Sequence, residues 1–510
     1  MKRRLFLAIT CALLLSLSFP PLRLGFLSYV ALVPFWLLLD ELTIRESFRW
    51  GYLVGLFISI GTIYWIFWPT PAGAVAAILF HPVYYALFAV CYSFLKKQWG
   101  QVALFATPFL WVAFEYLKSL GQLGFPWVTL GNTQSYYTSL IQYATFTGVY
   151  GVSFWVVCLN VLVYLMVQNQ RTRATMIRYA GIFVLFFIVP YFYGRKVIPQ
   201  KLPATKSVKV AIIQGNIDPY LKWNKQLLEM NFKVYERLSR QVGHKNVDLI
   251  IWPETATPTY LLHDRRNLAR VQQLVRELDA PILTGTPDYI RLARRQYKTF
   301  NSLVLIDGTL RPYQKYAKIH LVPFGERVPY EDSIPILKKL LSSLEMGEGN
   351  FSPGREITVF KLFKKNSNNS ASDGYVYYLG GVICFESIFP GLVAKFVRKG
   401  AQLLTVVTND GWFGRTGAPY QHAQMAVFRA IENRISIARS ANTGVSMTID
   451  PYGRVRKQTR IFEEATLIDT LPLRRETTFF TRHGNFFAQL VLGISLALLL
   501  GTLLDMRFRK

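Results

Sequence analysis

A glutamate, a lysine and a cysteine stand a little over sixty residues apart in this chain, each at the edge of an apolar run. Glu254 lies in Trp252-Pro253-Glu254-Thr255-Ala256. Lys318 precedes Leu321-Val322-Pro323-Phe324-Gly325-Glu326, and Cys384 lies in Gly380-Gly381-Val382-Ile383-Cys384-Phe385-Glu386. Together the three types suit covalent acyl transfer through a thioester. The sulfur attacks a carbonyl, the carboxylate takes the thiol proton, and the ammonium stabilises the oxyanion. A free thiol titrates at about 8.5, so it needs a neighbouring base or cation. Each residue also has a plainer reading. A lone thiol is more often a small buried hydrophobe, and Glu254 after Pro253 could cap a helix. Lys318 could sit at the surface, but the apolar residues after it suggest enclosure. The three segments together favour the chemistry. Glu326 reads either as a structural acceptor or as a partner of Lys318. Trp412 and Phe413, in a Gly-flanked loop, read as a substrate- or lipid-facing arm. His320 and His422 have no evident partner in the sequence and read as structural.

These residues need strands to hold them. Residues 208–213, 247–252, 282–285, 301–306, 375–384, 403–408 and 442–450 carry strand patterns, and residues 224–242 and 419–436 carry helical ones. The alternation predicts a layered α/β domain. The polar stretch 364–374 reads as a solvated loop. No internal repeat is evident.

The rest of the chain is apolar. Of 510 residues, 51% are hydrophobic and 15% aromatic, and the long runs fall in 1–195 and 486–506. Eight segments approach the roughly 20 helical residues that cross a bilayer core: 4–20, 24–40, 50–68, 72–95, 101–118, 145–168, 178–194 and 486–505. The net charge of +28 does not imply nucleic acid, because the basic residues are dispersed and many flank apolar segments. There they set topology, and anionic lipid is the expected partner. Lys2, Arg3, Arg4, Arg45, Arg49, Lys96, Lys97, Arg171, Arg173, Arg178, Arg507, Arg509 and Lys510 mark alternate loops. This places both termini in the cytoplasm and residues 196–485 outside. The first segment is expected to be a retained helix, since Phe19-Pro20-Pro21 and a second apolar run follow it closely. Glu115 reads either as facing the bundle or as snorkelling with Lys118. The uncharged aromatic segment 124–131, with Trp127, suits the outer headgroup level. Cys11, Cys91 and Cys158 lie in apolar segments, and no zinc spacing or disulfide framework appears.

At this point the residues resemble a known family, the apolipoprotein N-acyltransferases, membrane-bound members of the carbon-nitrogen hydrolase (nitrilase) superfamily. The motifs are Gln214-Gly215-Asn216 with Trp223, Trp252-Pro253-Glu254, Lys318 through Glu326, Cys384-Phe385-Glu386 and Thr408-Asn409-Asp410-Gly411-Trp412-Phe413. Gln421-His422, Arg429 to Glu432, Arg439, Asn442 to Ser446 and Gly124-Phe125-Pro126-Trp127 extend the match. Phe385 stands where the family commonly has Tyr, and Asn485 where it has Asp.

The resemblance implies an eight-helix membrane bundle joined to an αββα sandwich. It implies residues 1–195 as seven membrane helices, 196–485 as a periplasmic catalytic domain, and 486–510 as the eighth helix and tail. It implies a ping-pong reaction at the bacterial inner membrane. A phospholipid, phosphatidylethanolamine by expectation, gives its sn-1 acyl chain to Cys384. The α-amino group of an S-diacylglyceryl cysteine on an apolipoprotein then receives it. Glu254, Lys318 and Cys384 would be catalytic. Glu326, Phe385, Glu386, Trp223, Trp412, Phe413, Trp127 and Asn409 would support them. No metal or organic cofactor, no nucleic acid and a monomer are expected. Two other classes compete. One is a membrane-tethered amidohydrolase, in which water replaces the amine. The other is a non-enzymatic transport or assembly protein, against which the spans offer few ionisable residues.

Overall fold

The computed structural model describes residues 1–168, 173–202, 206–221, 227–292, 296–308, 312–333, 350–365, 374–474 and 476–508. Trp223, Arg171, Arg509, Lys510 and most of the 364–374 loop lie outside the described residues. The chain forms two compact units: residues 1–67, 71–199 and 483–510, and residues 68–70 and 200–482.

The first unit is helical. Among the described residues, five helical stretches are long and apolar enough to cross a membrane: Ile44–Phe67, Pro71–Leu117, Ala144–Gln168, Arg173–Val197 and Phe486–Phe508. The eight segments read from the sequence are all at least partly helical, but several are broken. Residues 24–40 form a short turn, Gly25–Tyr29, and a seven-residue helix, Val33–Leu39. Residues 71–99 divide at His81-Pro82 into Pro71–Phe80 and Pro82–Trp99. Proline lacks the amide hydrogen that a helix interior needs. Ala144–Gln168 kinks at Gly148, whose φ is 65°. The helix Ile44–Ile63 starts cleanly, since Thr43 and Glu46 exchange reciprocal capping bonds. Arg173–Val197 leaves Ile177, Val184, Leu185, Val189 and Phe192 exposed. Such a surface suits hydrocarbon rather than water.

The choice left open at Glu115 is resolved inside this unit. Its carboxylate is buried, accepting from Trp111 Nε1 at 3.0 Å and from the Leu130 amide at 2.7 Å. Lys118 is also buried and donates to the Val128 carbonyl at 3.2 Å, so neither side chain snorkels. Both therefore brace residues 126–130. Trp127 is buried against Trp65, with ring centroids 4.5 Å apart.

The second unit is a two-sheet sandwich. Its strands are β1 (Ser207–Gln214), β2 (Leu249–Ile251), β3 (Ile282–Arg291), β4 (Tyr297–Ile306), β5 (Lys315–Ala317), β6 (Val359–Lys365), β7 (Gly374–Ile383), β8 (Leu403–Thr408), β9 (Ser436–Ala441), β10 (Met447–Ile449), β11 (Val455–Gln458) and β12 (Ala465–Pro472). One sheet has the order β12-β1-β2-β3-β4-β5 and the other β11-β10-β9-β8-β7-β6. Each holds a parallel trio, β1-β2-β3 and β7-β8-β9, flanked by antiparallel strands.

Successive residues of a strand point to opposite faces, and β7 shows the layering that results. A Cβ on Gly381 would lie 2.7 Å from Leu303 of the opposing sheet. One on Gly380 would lie 3.3 Å from Phe396, which belongs to the helix Pro390–Arg398. One face of β7 thus meets the other sheet and its reverse meets a helix. On the far side, Phe232, Tyr235, Leu238 and Val242 of the helix Leu228–Gly243 share a core with Ala211, Ile213 and Ile250. Parallel strands buried on both faces need continuous apolar runs, which is what β1, β2 and β8 carry.

The predicted helix over 419–436 ends at Asn433, and Ser436–Ala441 is instead the strand β9. The turn comes from Arg434, which takes a left-handed conformation with φ of 47°. The predicted strand 442–450 shrinks to β10.

Candidate active site

The site forms where strand ends converge, at the carboxyl edge typical of ligand sites in parallel sheets. Glu254 lies three residues beyond β2, Cys384 directly follows β7, Asn409 directly follows β8, and Lys318 directly follows β5.

Glu254 is brought in by a tight backbone passage. Thr255 has φ of 48°. Gly285 of β3 lets the chain through, since a Cβ there would lie 2.7 Å from the Glu254 Cα and 2.5 Å from the Thr255 nitrogen. Lys318 is pinned by its backbone, its amide donating to the Asn301 carbonyl at 2.9 Å and its carbonyl accepting from Gly354 at 2.7 Å.

The side chains then meet in the interior, all but excluded from solvent. Lys318 Nζ is 3.3 Å from Glu254 Oε1 and 2.8 Å from Glu326 Oε1. Asn301 Nδ2 donates to the same two oxygens at 2.9 and 3.0 Å. The Asn409 amide donates to Glu254 Oε2 at 2.9 Å, and the Val322 amide to Glu326 Oε2 at 2.8 Å. Burial by itself would lower the Lys318 pKa, but Glu326, Glu254 and Cys384 outweigh it and hold the ammonium well above the usual lysine range. Lys318 is therefore a fixed cation.

Cys384 sits on a sharp turn with φ of 50°. Such a conformation costs a non-glycine residue about 1–3 kcal/mol. Glu386 holds that turn. It accepts from Tyr316 Oη at 2.6 Å, the Ile319 amide at 2.7 Å, the His320 amide at 3.2 Å and the Ile383 amide at 2.9 Å. Burial pushes the Glu386 pKa up to about 6 against these bonds. Burial, reinforced by Glu254, also pushes the Cys384 thiol well above its usual value, with Lys318 opposing. A thiol in such surroundings needs a base to attack a carbonyl.

The remaining expected residues fall as follows. Phe385 is buried with its ring edge-on to Phe389 at 5.2 Å, and Phe389 in turn stacks on His320 at 4.4 Å. Asn409 accepts from Asn442 Nδ2 at 3.0 Å through its side-chain oxygen, and its Nδ2 is buried with no partner among the described residues. Trp412 and Phe413 lie half-buried in the turn Asp410–Phe413. Trp412 meets Tyr220 edge-on at 5.0 Å, and Tyr220 Oη donates to the Trp68 carbonyl at 3.2 Å. Trp127 belongs to the other unit.

Sequence reasoning missed Asn301, Tyr316 and Ser387, and it left His422 without partners. His422 in fact contacts Asp410, Ser387 and the Cys384 carbonyl. An asparagine opening the apolar run 301–306 was the one signal available for Asn301. Cys384, Asp410 and His422 offer donor atoms within 4.8 Å of one another, a set that could hold a metal ion. Both ring nitrogens of His422 and both Asp410 oxygens are already engaged by protein groups, which makes the set a hydrogen-bond relay.

Two family models match the chain. Residues 11–162 match the apolipoprotein N-acyltransferase N-terminal domain, and residues 209–479 match the carbon-nitrogen hydrolase model. An apolipoprotein N-acyltransferase of Geobacter metallireducens is 35% identical over 506 residues, covering 96% of this chain and 93% of that protein. One from Chlorobaculum tepidum is 34% identical over 517 residues, covering 97% and 96%. A nitrilase-superfamily amidase from Nesterenkonia AN1 is a distant structural match, 15% identical with a TM-score of 0.37, over 56% of this chain and 95% of that one.

Proposed function

This chain belongs to the apolipoprotein N-acyltransferase family of the carbon-nitrogen hydrolase superfamily, and we propose that it acylates lipoproteins through a thioester on Cys384. The observation that carries this reading is the enclosure of Glu254, Lys318 and Cys384 at the ends of three strands.

In the first half-reaction Glu254 takes the thiol proton as sulfur attacks the sn-1 ester carbonyl of a phospholipid. The carbonyl oxygen becomes an oxyanion beside the Lys318 ammonium. As the tetrahedral intermediate collapses, the C–O bond breaks and Glu254 returns its proton to the leaving lysophospholipid alkoxide. In the second half-reaction the α-amino group of an S-diacylglyceryl cysteine attacks the thioester. Glu254 accepts the amine's proton, the C–S bond breaks, and the sulfur is reprotonated. Glu326 and Asn301 hold Lys318 and Glu254 in register for both halves. Phosphatidylethanolamine is the donor we assign, and a protein N-terminus bearing the diacylglyceryl cysteine is the acceptor.

We assign eight crossings to residues 1–195 and 486–510, both termini to the cytoplasm, and residues 196–485 to the periplasmic side of the inner membrane, in a monomer. The half-buried Trp412 and Phe413 turn suits contact with acyl chains or with the lipid-anchored acceptor.

Intact-protein mass spectrometry tests the reading. The purified full chain in phosphatidylethanolamine-containing detergent micelles should gain one acyl mass on Cys384, and should lose it on addition of a diacylglyceryl peptide with a free N-terminus. Absence of the adduct, or its formation in Cys384→Ala, would overturn the thioester. Release of free fatty acid with no transfer would favour the hydrolase.

A further inference from the structure

Behind the cysteine lies a second buried polar set that the half-reactions above do not use. His422 projects from the helix Ala418–Asn433, with Nε2 3.1 Å from the Cys384 carbonyl oxygen and 2.9 Å from Ser387 Oγ. Its Nδ1 is 2.8 Å from Asp410 Oδ1. Asp410 Oδ2 accepts from Arg439 Nη2 at 2.7 Å, and its Oδ1 also accepts from Thr408 Oγ1 at 2.8 Å. Ser387, His422, Asp410 and Arg439 are fully excluded from solvent.

A carbonyl oxygen only accepts, and a serine hydroxyl has one proton to give. Ser387 spends that proton on the Cys384 carbonyl at 2.8 Å. The His422 Nε2 contacts with both oxygens therefore require a proton on Nε2. Nδ1 faces the Asp410 carboxylate. Burial pulls the Asp410 pKa up, but Arg439 and His422 outweigh burial and keep the group ionised. Nδ1 thus lies between the Asp410 carboxylate at 2.8 Å and Arg439 Nη2 at 3.1 Å, and Arg439 Nη2 also donates to Asp410 Oδ2. Asp410 and Arg439 are charged groups in contact with the imidazole, and donor atoms of Cys384, Asp410 and His422 lie within 4.8 Å of one another.

We propose that His422, held between Asp410 and Arg439, is a positioning residue for the acylation step. It clamps the Cys384 carbonyl, which fixes the left-handed turn that aims the sulfur. Ser387 supports the same clamp. This inference rests on Cys384 being the acylated nucleophile.

The test uses the full chain with Cys11, Cys91 and Cys158 replaced by alanine, and compares it with His422→Gln and Asp410→Asn in that background. Two rates are read: acyl-adduct formation with phosphatidylethanolamine, and alkylation of Cys384 by iodoacetamide at fixed pH without lipid. His422→Gln keeps one side-chain amide donor but loses the ring's simultaneous hold on the Cys384 carbonyl and Asp410. It should slow adduct formation at least tenfold and slow alkylation about tenfold, and Asp410→Asn should shift both in the same direction. Unchanged rates in both variants would overturn the proposal. Alkylation that becomes faster in both, as for a thiol released from its buried site, would also overturn it and leave His422 a purely structural residue. If the parent forms no adduct, the thioester reading itself fails, while the alkylation rates still decide whether His422 positions the Cys384 sulfur.

Discussion

Lys318 Nζ lies 2.8 Å from Glu326 Oε1, closer than the 3.3 Å that separates it from Glu254. The lysine's tighter partner is thus the second glutamate, eight residues along the same segment. This divides the labour. Glu326 anchors the cation, and Glu254, less firmly engaged by it, is the better placed to exchange a proton with the sulfur.

That division predicts unequal losses. On the proposed mechanism Glu254→Gln and Lys318→Ala each remove a group used in the transition state, and each should slow Cys384 acylation about 100- to 1,000-fold. Lys318→Arg should not rescue, because a planar fork cannot replace a compact ammonium between two carboxylates. Glu326→Gln removes only the anchor. A hydrogen bond to a charged group is worth about 1.5–3 kcal/mol, so a loss of roughly 10- to 100-fold is expected. Single-turnover acylation kinetics give all four values, and a Glu326→Gln loss as deep as that of Glu254→Gln would exchange the two roles.

The thiol's environment predicts its pH dependence. Only the thiolate is alkylated, and an ordinary cysteine titrates at about 8.5. Burial, with Glu254 beside it, pushes Cys384 well above the ordinary thiol value, so its thiolate fraction at neutral pH is smaller than a free thiol's. Its alkylation rate in the folded protein should keep rising tenfold per pH unit through the range where the denatured chain levels off. A plateau at or below the denatured chain's midpoint would mean a preformed thiolate and would remove the need for Glu254 as base.

A backbone prediction concerns Gly285. Any side chain there meets main-chain atoms of Pro253, Glu254 and Thr255 at 2.5–2.8 Å, and these cannot rotate away. Overpacking of this kind costs about 1–3 kcal/mol and shifts the strand end. Displacing a catalytic group by about 1 Å can cost on the order of 100-fold. Gly285→Ala should therefore fold, melt at a lower temperature, and acylate Cys384 on the order of 100-fold more slowly. Wild-type acylation by this variant would show that Glu254 tolerates the shift.

The parts of this molecule legible in the sequence share one property: their pattern is local. β1, β2, β7 and β8 are apolar β-branched runs, and the chemistry-bearing residues stand just past strand ends, so the strand signal located them. β9 was not legible, because Ser436-Ile437-Ala438-Arg439-Ser440-Ala441 carries little strand preference and continues a helical pattern. It is a strand because it lies between β8 and β10 and is buried throughout. The same holds for the site. Asn301 and His422 act through partners 25 to 47 and 12 to 38 residues away, respectively, and nothing near either residue announces those contacts. In the membrane part, hydropathy located the segments, but His81-Pro82 and Gly148 set where the helices break.

Topology supplies the last prediction. A phospholipid's acyl chains resist leaving the bilayer, since each exposed CH₂ costs about 0.8 kcal/mol. The donor must therefore be taken from the leaflet on the catalytic domain's own side. Positive residues flank the apolar segments, Lys2 to Arg4, Arg45, Arg49, Lys96 and Lys97 among them. The positive-inside rule then predicts those ends in the cytoplasm and the catalytic domain on the other face. Two reporters separate the sides in a chain whose own four cysteines are replaced. Arg266→Cys sits exposed at the start of the helix Arg265–Leu278, and Arg45→Cys sits exposed near the start of Ile44–Ile63. In intact spheroplasts a membrane-impermeant maleimide should label position 266 at once and position 45 only after permeabilisation. The reverse pattern would put the catalytic domain in the cytoplasm, away from any translocated lipoprotein, and the assigned acceptor could not reach Cys384.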